Sequence, residues 1–420
     1  MMLRSLKKSL LIVGALSTLA LSDGISSKMA FGAQSRVLTI DRALEEAYSN
    51  NPELAAAQWD IDIAKGGRVQ AGVIPNPELS WDVEDTRSNS RITTVKVSQS
   101  LELGGKRGAR IDVASKAQDA ASVDLERKRN ILRADVIDAF YGALRAQERI
   151  QLAGQSLTLA ERGLTVATGR VKAGKSSPVE ETRAKVQLSE VRLELSRAEM
   201  ERTNAYQRLA LVTGAKSPDF SAVQDSTGLP PRMPASSNLI QLIPETAEFR
   251  LAELQIGQQE ASLGLEKSLR IPDLNVSVGS QYDASIRERV NVVGVSMPIP
   301  LFDRNQGNVL SAARRADQAR DLKNATELRL RTETLQALVQ WSTALTEAKS
   351  FNEVILPAAQ SAVDNATRGF EMGKFNFLEV LDAQRTLIGA RTQYIQAVAM
   401  SVDAWVRIER TYGDVIPRLR

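Results

Sequence analysis

The 420-residue chain contains no cysteine and no histidine, and aromatics make up only 5% of it. The missing cysteine excludes a disulfide framework and a lipid carried on an amino-terminal thiol. Together the two absences remove the imidazole and thiolate ligands that zinc, cobalt and cadmium favour, so no metal site is expected on this chain. With few aromatics and 25% charged residues, the balance suits long helices rather than one aromatic-rich core. The apolar run at residues 9–21 is too short to cross a bilayer comfortably as a helix.

That run lies behind Arg4, Lys7 and Lys8 and ahead of small residues, the layout of a secretory signal over 1–33. Cleavage after Gly32 or Ala33 fits, and Ser22 offers an earlier site. Loss of 1–33 removes Arg4, Lys7, Lys8, Lys28 and Asp23, which lowers the formal net charge from +4 to +1. The basic balance therefore belongs largely to the signal, and a nucleic-acid partner loses its support.

What the chain has is helical periodicity. Residues 105–173 carry no proline, and Ile111, Ala114, Ala117, Ala121, Leu125, Leu132, Val136, Phe140 and Leu144 recur every three or four positions. A helix of that length is roughly 100 Å long and needs other long helices beside it. Gly174 ends it, Ser177-Pro178-Val179-Glu180 reads as a capping box, and a second helix is expected over 178–213. Residues 215–236, with four prolines, read as a linker. The same order then returns over 237–420, with a long helix over 306–372 and another over 377–412. Ile271-Pro272 matches Ile74-Pro75, Gly373-Lys374 matches Gly174-Lys175, and Gly413 matches Gly214, at offsets of 197 to 199. This is an internal duplication, with 34–214 as its first copy.

Ahead of each long helix the period changes to two. Leu79, Trp81 and Val83, then Val95, Val97, Leu101 and Leu103, alternate with polar residues and form a hairpin over 78–103. Its counterpart spans 273–301, with Val293, Val295, Met297, Ile299 and Leu301 in the last strand. Strands of about ten residues cross a bilayer when tilted, and they equally fit a soluble sheet packed on helices. Four strands close no barrel, so membrane strands would have to be shared between two or three chains.

Four segments fall in one order along this duplication: Leu101-Glu102-Leu103-Gly104-Gly105-Lys106-Arg107, Val171-Lys172-Ala173-Gly174-Lys175, Pro298-Ile299-Pro300-Leu301-Phe302-Asp303-Arg304 and Leu378-Glu379-Val380-Leu381-Asp382-Ala383-Gln384. In these the chain resembles the TolC-like outer-membrane efflux channels, nearest to the CzcC-type heavy-metal branch. The resemblance implies a mainly α fold with a small β part. Long helical-barrel hairpins would stand below four transmembrane strands per chain, closed into a barrel only as a homotrimer. It further implies an outer-membrane location reaching into the periplasm, contact with outer-membrane lipid, and a periplasmic adaptor leading to an inner-membrane RND-type pump. The conducted substrate would be divalent heavy-metal cations, with drugs or a secreted polypeptide as the alternative. A non-porating periplasmic coiled-coil scaffold is the rival from another class.

Two helix turns are expected to expose the adaptor-docking tip: Lys172, Gly174 and Lys175 in the first, Gly373, Lys374 and Phe375 in the second. Phe375 and Phe377 favour docking over plain helix reversal, since exposed aromatics are costly. Glu379 and Asp382, three apart on one helix face, occupy the positions of the family's gate acids. The first copy has Glu180 at the one position and Arg183 at the other. Gly169 to Ser176 matches a phosphate-binding loop letter for letter, but a long helix precedes it where a strand is required. Lys106, Arg107 and Arg110 open the first long helix against its dipole, as a basic ring facing lipid head groups or as solvated charge. Methionines are scattered and acids sit at coiled-coil surface spacing. Neither a metal relay nor paired-carboxylate catalysis is indicated, so no enzyme activity and no cofactor are expected.

Overall fold

The computed structural model describes residues 36–225, 233–413 and 415. The expected signal at 1–33 and the middle of the linker lie outside the described residues. The first half runs β1 (Val37–Leu38), α1 (Ile40–Asn50), α2 (Pro52–Ala71), β2 (Glu78–Glu84), β3 (Ile92–Leu101), α3 (Lys106–Lys172), α4 (Pro178–Val212) and β4 (Ala222–Val223). After α5 (Ser236–Gln241) and a short 3-10 turn come α6 (Ala247–Ser268), β5 (Leu274–Asp283), β6 (Glu288–Ser296), α7 (Gln306–Ser350), α8 (Leu356–Glu371) and α9 (Phe377–Tyr412). The chain is mainly helical with a small sheet part.

The 67 residues of α3 make it the spine, about 100 Å long. Its buried alanines 146, 153, 160 and 167 recur every seven residues, the repeat of a left-handed supercoil, and alanine lets neighbouring helices approach closely. Near the sheet α3 packs on α2 and α6, and toward the hairpin turns on α4 and α9. Helix α7 packs on α6 and α9, and α8 packs on α9. The order across this single layer is therefore α2–α3–α6–α7 near the sheet and α4–α3–α9–α8 near the turns. Where the two levels meet, α1, α3, α7 and α9 enclose the main core around Phe140, Leu330, Trp341 and Tyr412. The parallel pair β1–β4 draws part of the expected linker into that core. A buried carboxylate, Glu409, lies there too, accepting from Arg133 Nε at 2.8 Å and from Trp405 Nε1 at 2.9 Å.

The strands form one antiparallel sheet in the order β2-β3-β5-β6, open at both edges. Its register sorts the two faces by polarity. Leu79, Val97, Val278 and Val293 stand opposite one another in successive strands, with Trp81, Val95, Val276 and Val295 on the same face. The other face carries Glu78, Ser80, Asp82, Lys96, Ser98, Ser277, Gly279 and Gln281, with Lys96 and Asp82 paired at 3.1 Å, and in β6 it also carries Val290 and Val292. Among the described residues no packed layer covers the apolar face, and Leu79, Trp81, Val293 and Val295 are exposed in the single chain.

Two expectations need correction. The last strand ends at Ser296 rather than 301, so Pro298 and Pro300 lie beyond the ladder, where their missing N–H groups cost nothing. The long helix expected over 306–372 is not uninterrupted: Phe351–Ile355 forms a turn of π-helix between α7 and α8. Pro357 is the physical reason. It has no N–H for the Glu353 carbonyl, and its ring would crowd that oxygen in regular α-helix, so the ladder widens just before it.

Candidate functional site

The far ends of the helical hairpins are built alike in both copies. Gly174 (φ 68°) and Gly373 (φ 76°) adopt the left-handed conformation that stops α3 and α8. In the first turn Lys175 N donates to Arg170 O at 2.8 Å and Gly174 N to Val171 O at 3.0 Å. In the second, Lys374 N donates to Gly369 O at 2.8 Å and Gly373 N to Phe370 O at 3.0 Å. Each is a Schellman closure followed by a new helix. Ser177 then accepts from Val179 N, one residue short of the expected capping box, and Asn376 accepts from Glu379 N at 3.1 Å. The phosphate-loop lookalike is thereby explained: its Gly174 and Lys175 amides already serve helix carbonyls.

Lys172, Gly174, Lys175, Gly373 and Lys374 are all exposed at these turns. The two phenylalanines part company. Phe375 is 43% exposed and lies over Gly369, where a Cβ would come within 2.3 Å of its ring. Phe377 is only 3% exposed, buried with Phe370, Val380 and Leu381 beneath the turns, its ring 5.5 Å from that of Phe370. The expectation that both aromatics face outward is thus wrong for Phe377, because the first turn of α9 packs an apolar plug against α3.

Sequence reasoning missed Arg170. Its Nε donates to Ser176 Oγ at 3.0 Å, its NH1 to Phe370 O at 2.8 Å, and its guanidinium stacks over the Phe370 ring at 4.7 Å. One side chain therefore joins both hairpin ends. The available signal was the break in repeat symmetry, since Arg170 falls where the second copy has Gly369. Arg162 and Glu371, at 2.5 Å, add a second bridge between α3 and α8.

Glu379 and Asp382 lie on the exposed side of α9, held there because Phe377, Val380 and Leu381 turn inward. Neither carboxylate has an ion-pair partner among the described residues. The structure brings them to the same end as the two hairpin turns, so the acids and the turns form one region. In the first copy Glu180 is half-buried and Arg183 exposed.

In the basic opening of α3, Arg107 is exposed and Arg110 pairs with Glu102, as the solvated-charge reading near Glu102 expects, whereas Lys106 is buried. Lys106 bonds Asp273 at 2.6 Å, while Arg107 Nε donates to Gly72 O at 2.6 Å. Arg110 forks onto Glu102. Gly104 (φ 71°) brings the chain so near Ser268 O that a Cβ would sit 2.8 Å from it. These contacts weld β3 and α3 to α2 and to the start of β5, making a rigid joint between sheet and helices.

A family model described as "Outer membrane efflux protein" matches residues 43–215 and 240–414. The chain is 40% identical, over 90% of both chains, to the cobalt-zinc-cadmium resistance protein CzcC of Cupriavidus metallidurans. It is 28% identical to the nickel and cobalt resistance protein CnrC of the same species, over 72% of this chain and 73% of that one. Among solved structures, the outer-membrane channel OprN superposes with a TM-score of 0.76 at 20% identity, over 88% of this chain and 89% of that one.

Proposed function

The chain belongs to the outer membrane efflux protein family, and from that premise we propose that three copies close head to tail into a duct spanning the outer membrane and the periplasm. The observation that carries this reading is the matching pair of open edges. One side of the layer ends in β2, α2 and α4, the other in β6, α7 and α8. A sheet with two unpaired edges and one exposed apolar face is stable in lipid only when closed. Closure by rotation joins unlike edges, so β6 of one copy pairs with β2 of the next. The apolar face then meets lipid and the polar face lines the lumen.

The helices present the same pair of edges. Trp59, Ile63 and Val69 of α2 are exposed, as are Leu322, Leu328, Leu335 and Val339 of α7. On α4, Val179, Val186, Leu193 and Met200 are exposed at a strict seven-residue spacing. That is a coiled-coil seam with no partner among the described residues of its own chain. Opposite it, α8 offers small exposed residues, Ala358 and Ala362.

The duct is an outer-membrane efflux channel with no energy source of its own. The resistance proteins it resembles point to divalent metal cations as cargo. Glu379 and Asp382, repeated around a threefold axis, form two carboxylate rings at the periplasmic mouth that attract cations. Lys172, Lys175, Lys374 and Phe375 meet a periplasmic adaptor that leads to an inner-membrane pump. Native mass spectrometry in mild detergent tests the assembly: the trimer is expected, and a monomer alone would overturn it.

A further inference from the structure

Between the two hairpins, back from the tips, α3, α4, α8 and α9 enclose a cleft of about 570 Å³. Its lining is partly apolar: Val191 belongs to the packing around Leu188, and Leu159, Val363 and Leu387 pack together on the other side. Most of the rest is polar. Gln187 and Gln384, only 8% and 6% exposed, line it with amides that have no hydrogen-bond partner among the described residues. The Thr367 hydroxyl, on α8, is buried without a hydrogen-bond partner among the described residues. Buried polar groups are ordinarily satisfied, and an unbonded one is destabilising. That hydroxyl, with the unbonded amides of Gln187 on α4 and Gln384 on α9, leaves the cleft able to bond an occupant from three helices.

The charges set the sign of that occupant. Arg162 is neutralised by Glu371 at 2.5 Å. Arg391 donates only to neutral oxygens, those of Gln155 at 2.7 Å and Gln360 at 3.1 Å. Arg368 has no acidic partner among the described residues. Asp364, which accepts from Gln360 Nε2 at 3.1 Å, is the one remaining acid. Two uncompensated guanidiniums against one carboxylate repel a metal cation and favour an anion.

We propose that this cleft binds a small oxyanion, a phosphate or a short carboxylate, held by Arg391 and Arg368 with Gln187, Gln384 and Thr367 as neutral donors. Because its walls come from both hairpins, the bound anion ties α3 and α4 to α8 and α9. The site is independent of the channel's cargo and of the acids at the mouth.

The test is calorimetric titration of the full chain, purified in mild detergent and chloride buffer, with inorganic phosphate and separately with succinate. Saturable binding of either ion is expected, at one site per chain, and the stronger of the two identifies the source. Arg391→Gln should weaken it about 10-fold or more, the loss of a charge-assisted hydrogen bond. Arg368→Gln, at an exposed position that tolerates the change, should do the same if Arg391→Gln assembles poorly. Arg385→Gln, in an exposed arginine of α9 that does not line the cleft, should leave binding unchanged. Absence of saturable binding by both ions overturns the proposal, as does equal binding by the two cleft variants and wild type. Equal weakening by Arg385→Gln would likewise overturn it, since general surface charge would then be responsible.

Discussion

Replacing Val186 and Leu193 of α4 together by lysine should break the ring without unfolding the chain. Val179, Val186, Leu193 and Met200 are 55%, 53%, 53% and 59% exposed in the single chain, so about half of each side chain remains to be covered. Full burial of such a side chain stabilises by about 1.5–3 kcal/mol, so the uncovered halves are worth about 1 kcal/mol each and the seam about 4 kcal/mol per interface. The double substitution removes about half of that. It also sets two ammonium groups against the small-residue edge of the next copy, where desolvation costs about 1–3 kcal/mol more even if the side chains reach toward water. A loss of about 3–5 kcal/mol at every interface of a closed ring should move a detergent-solubilised trimer to monomer at concentrations where wild type stays assembled. Volume-conserving Leu193→Met should cost less than about 1.5 kcal/mol. Native mass spectrometry across a temperature ramp reads the outcome, with far-UV circular dichroism confirming that the helices persist. An unchanged dissociation temperature in the double variant would refute the assignment of this stripe to the interface between copies.

Three further outcomes follow from the joint and the tip. Asp273→Asn leaves the buried Lys106 ammonium without its carboxylate; because Asp273 is itself partly exposed, the cost should be about 2 kcal/mol, seen as lower thermal stability of the trimer. The Arg110 hydrogen bond holds the Glu102 carboxyl below its ordinary value of 4.5. A depressed folded value means that this contribution is complete above the ordinary carboxylate range and is lost as pH falls through the lowered value. The stability difference between wild type and Glu102→Gln should therefore be constant at neutral pH and shrink only in acid. Gly369→Ala should expel the Phe375 ring from α8, and a tryptophan placed at 375 should then show red-shifted emission relative to the same probe beside Gly369.

Much of this architecture is legible in the residues because it rests on local periodicity. An apolar heptad without proline makes α3 whatever surrounds it, and Gly174 and Gly373 supply the left-handed residue that each turn requires. Alternation in the strands likewise separates an apolar from a polar face before any partner strand is known. What escapes is set by contacts distant in sequence. Apolar spacing on α4 does not reveal which of its stripes, the one at Ala184, Val191 and Ala198 or the one at Val186 and Leu193, is used within the chain. Lys106, Arg107 and Arg110 look like a solvated cluster until Asp273, 167 residues away from Lys106, is placed beside it. Pro357 is an exception: it stands in the sequence as a local break, and the expectation of an unbroken, proline-free helix over 306–372 passes over it. Arg170 acquires its role only when the second hairpin lies alongside the first.

The central claim is a trimeric duct whose periplasmic mouth is lined by Glu379 and Asp382, and single-channel recording in a planar bilayer under a salt gradient tests it most directly. Wild type should conduct in small steps with a reversal potential on the cation-selective side. Asp382→Asn, which lies beyond the Asn376 cap and leaves it intact, should shift that potential toward zero and raise conductance, and Glu379→Gln with Asp382→Asn should shift it further. Wild-type protein that forms no channels, or variants with the wild-type reversal potential and conductance, would contradict the account.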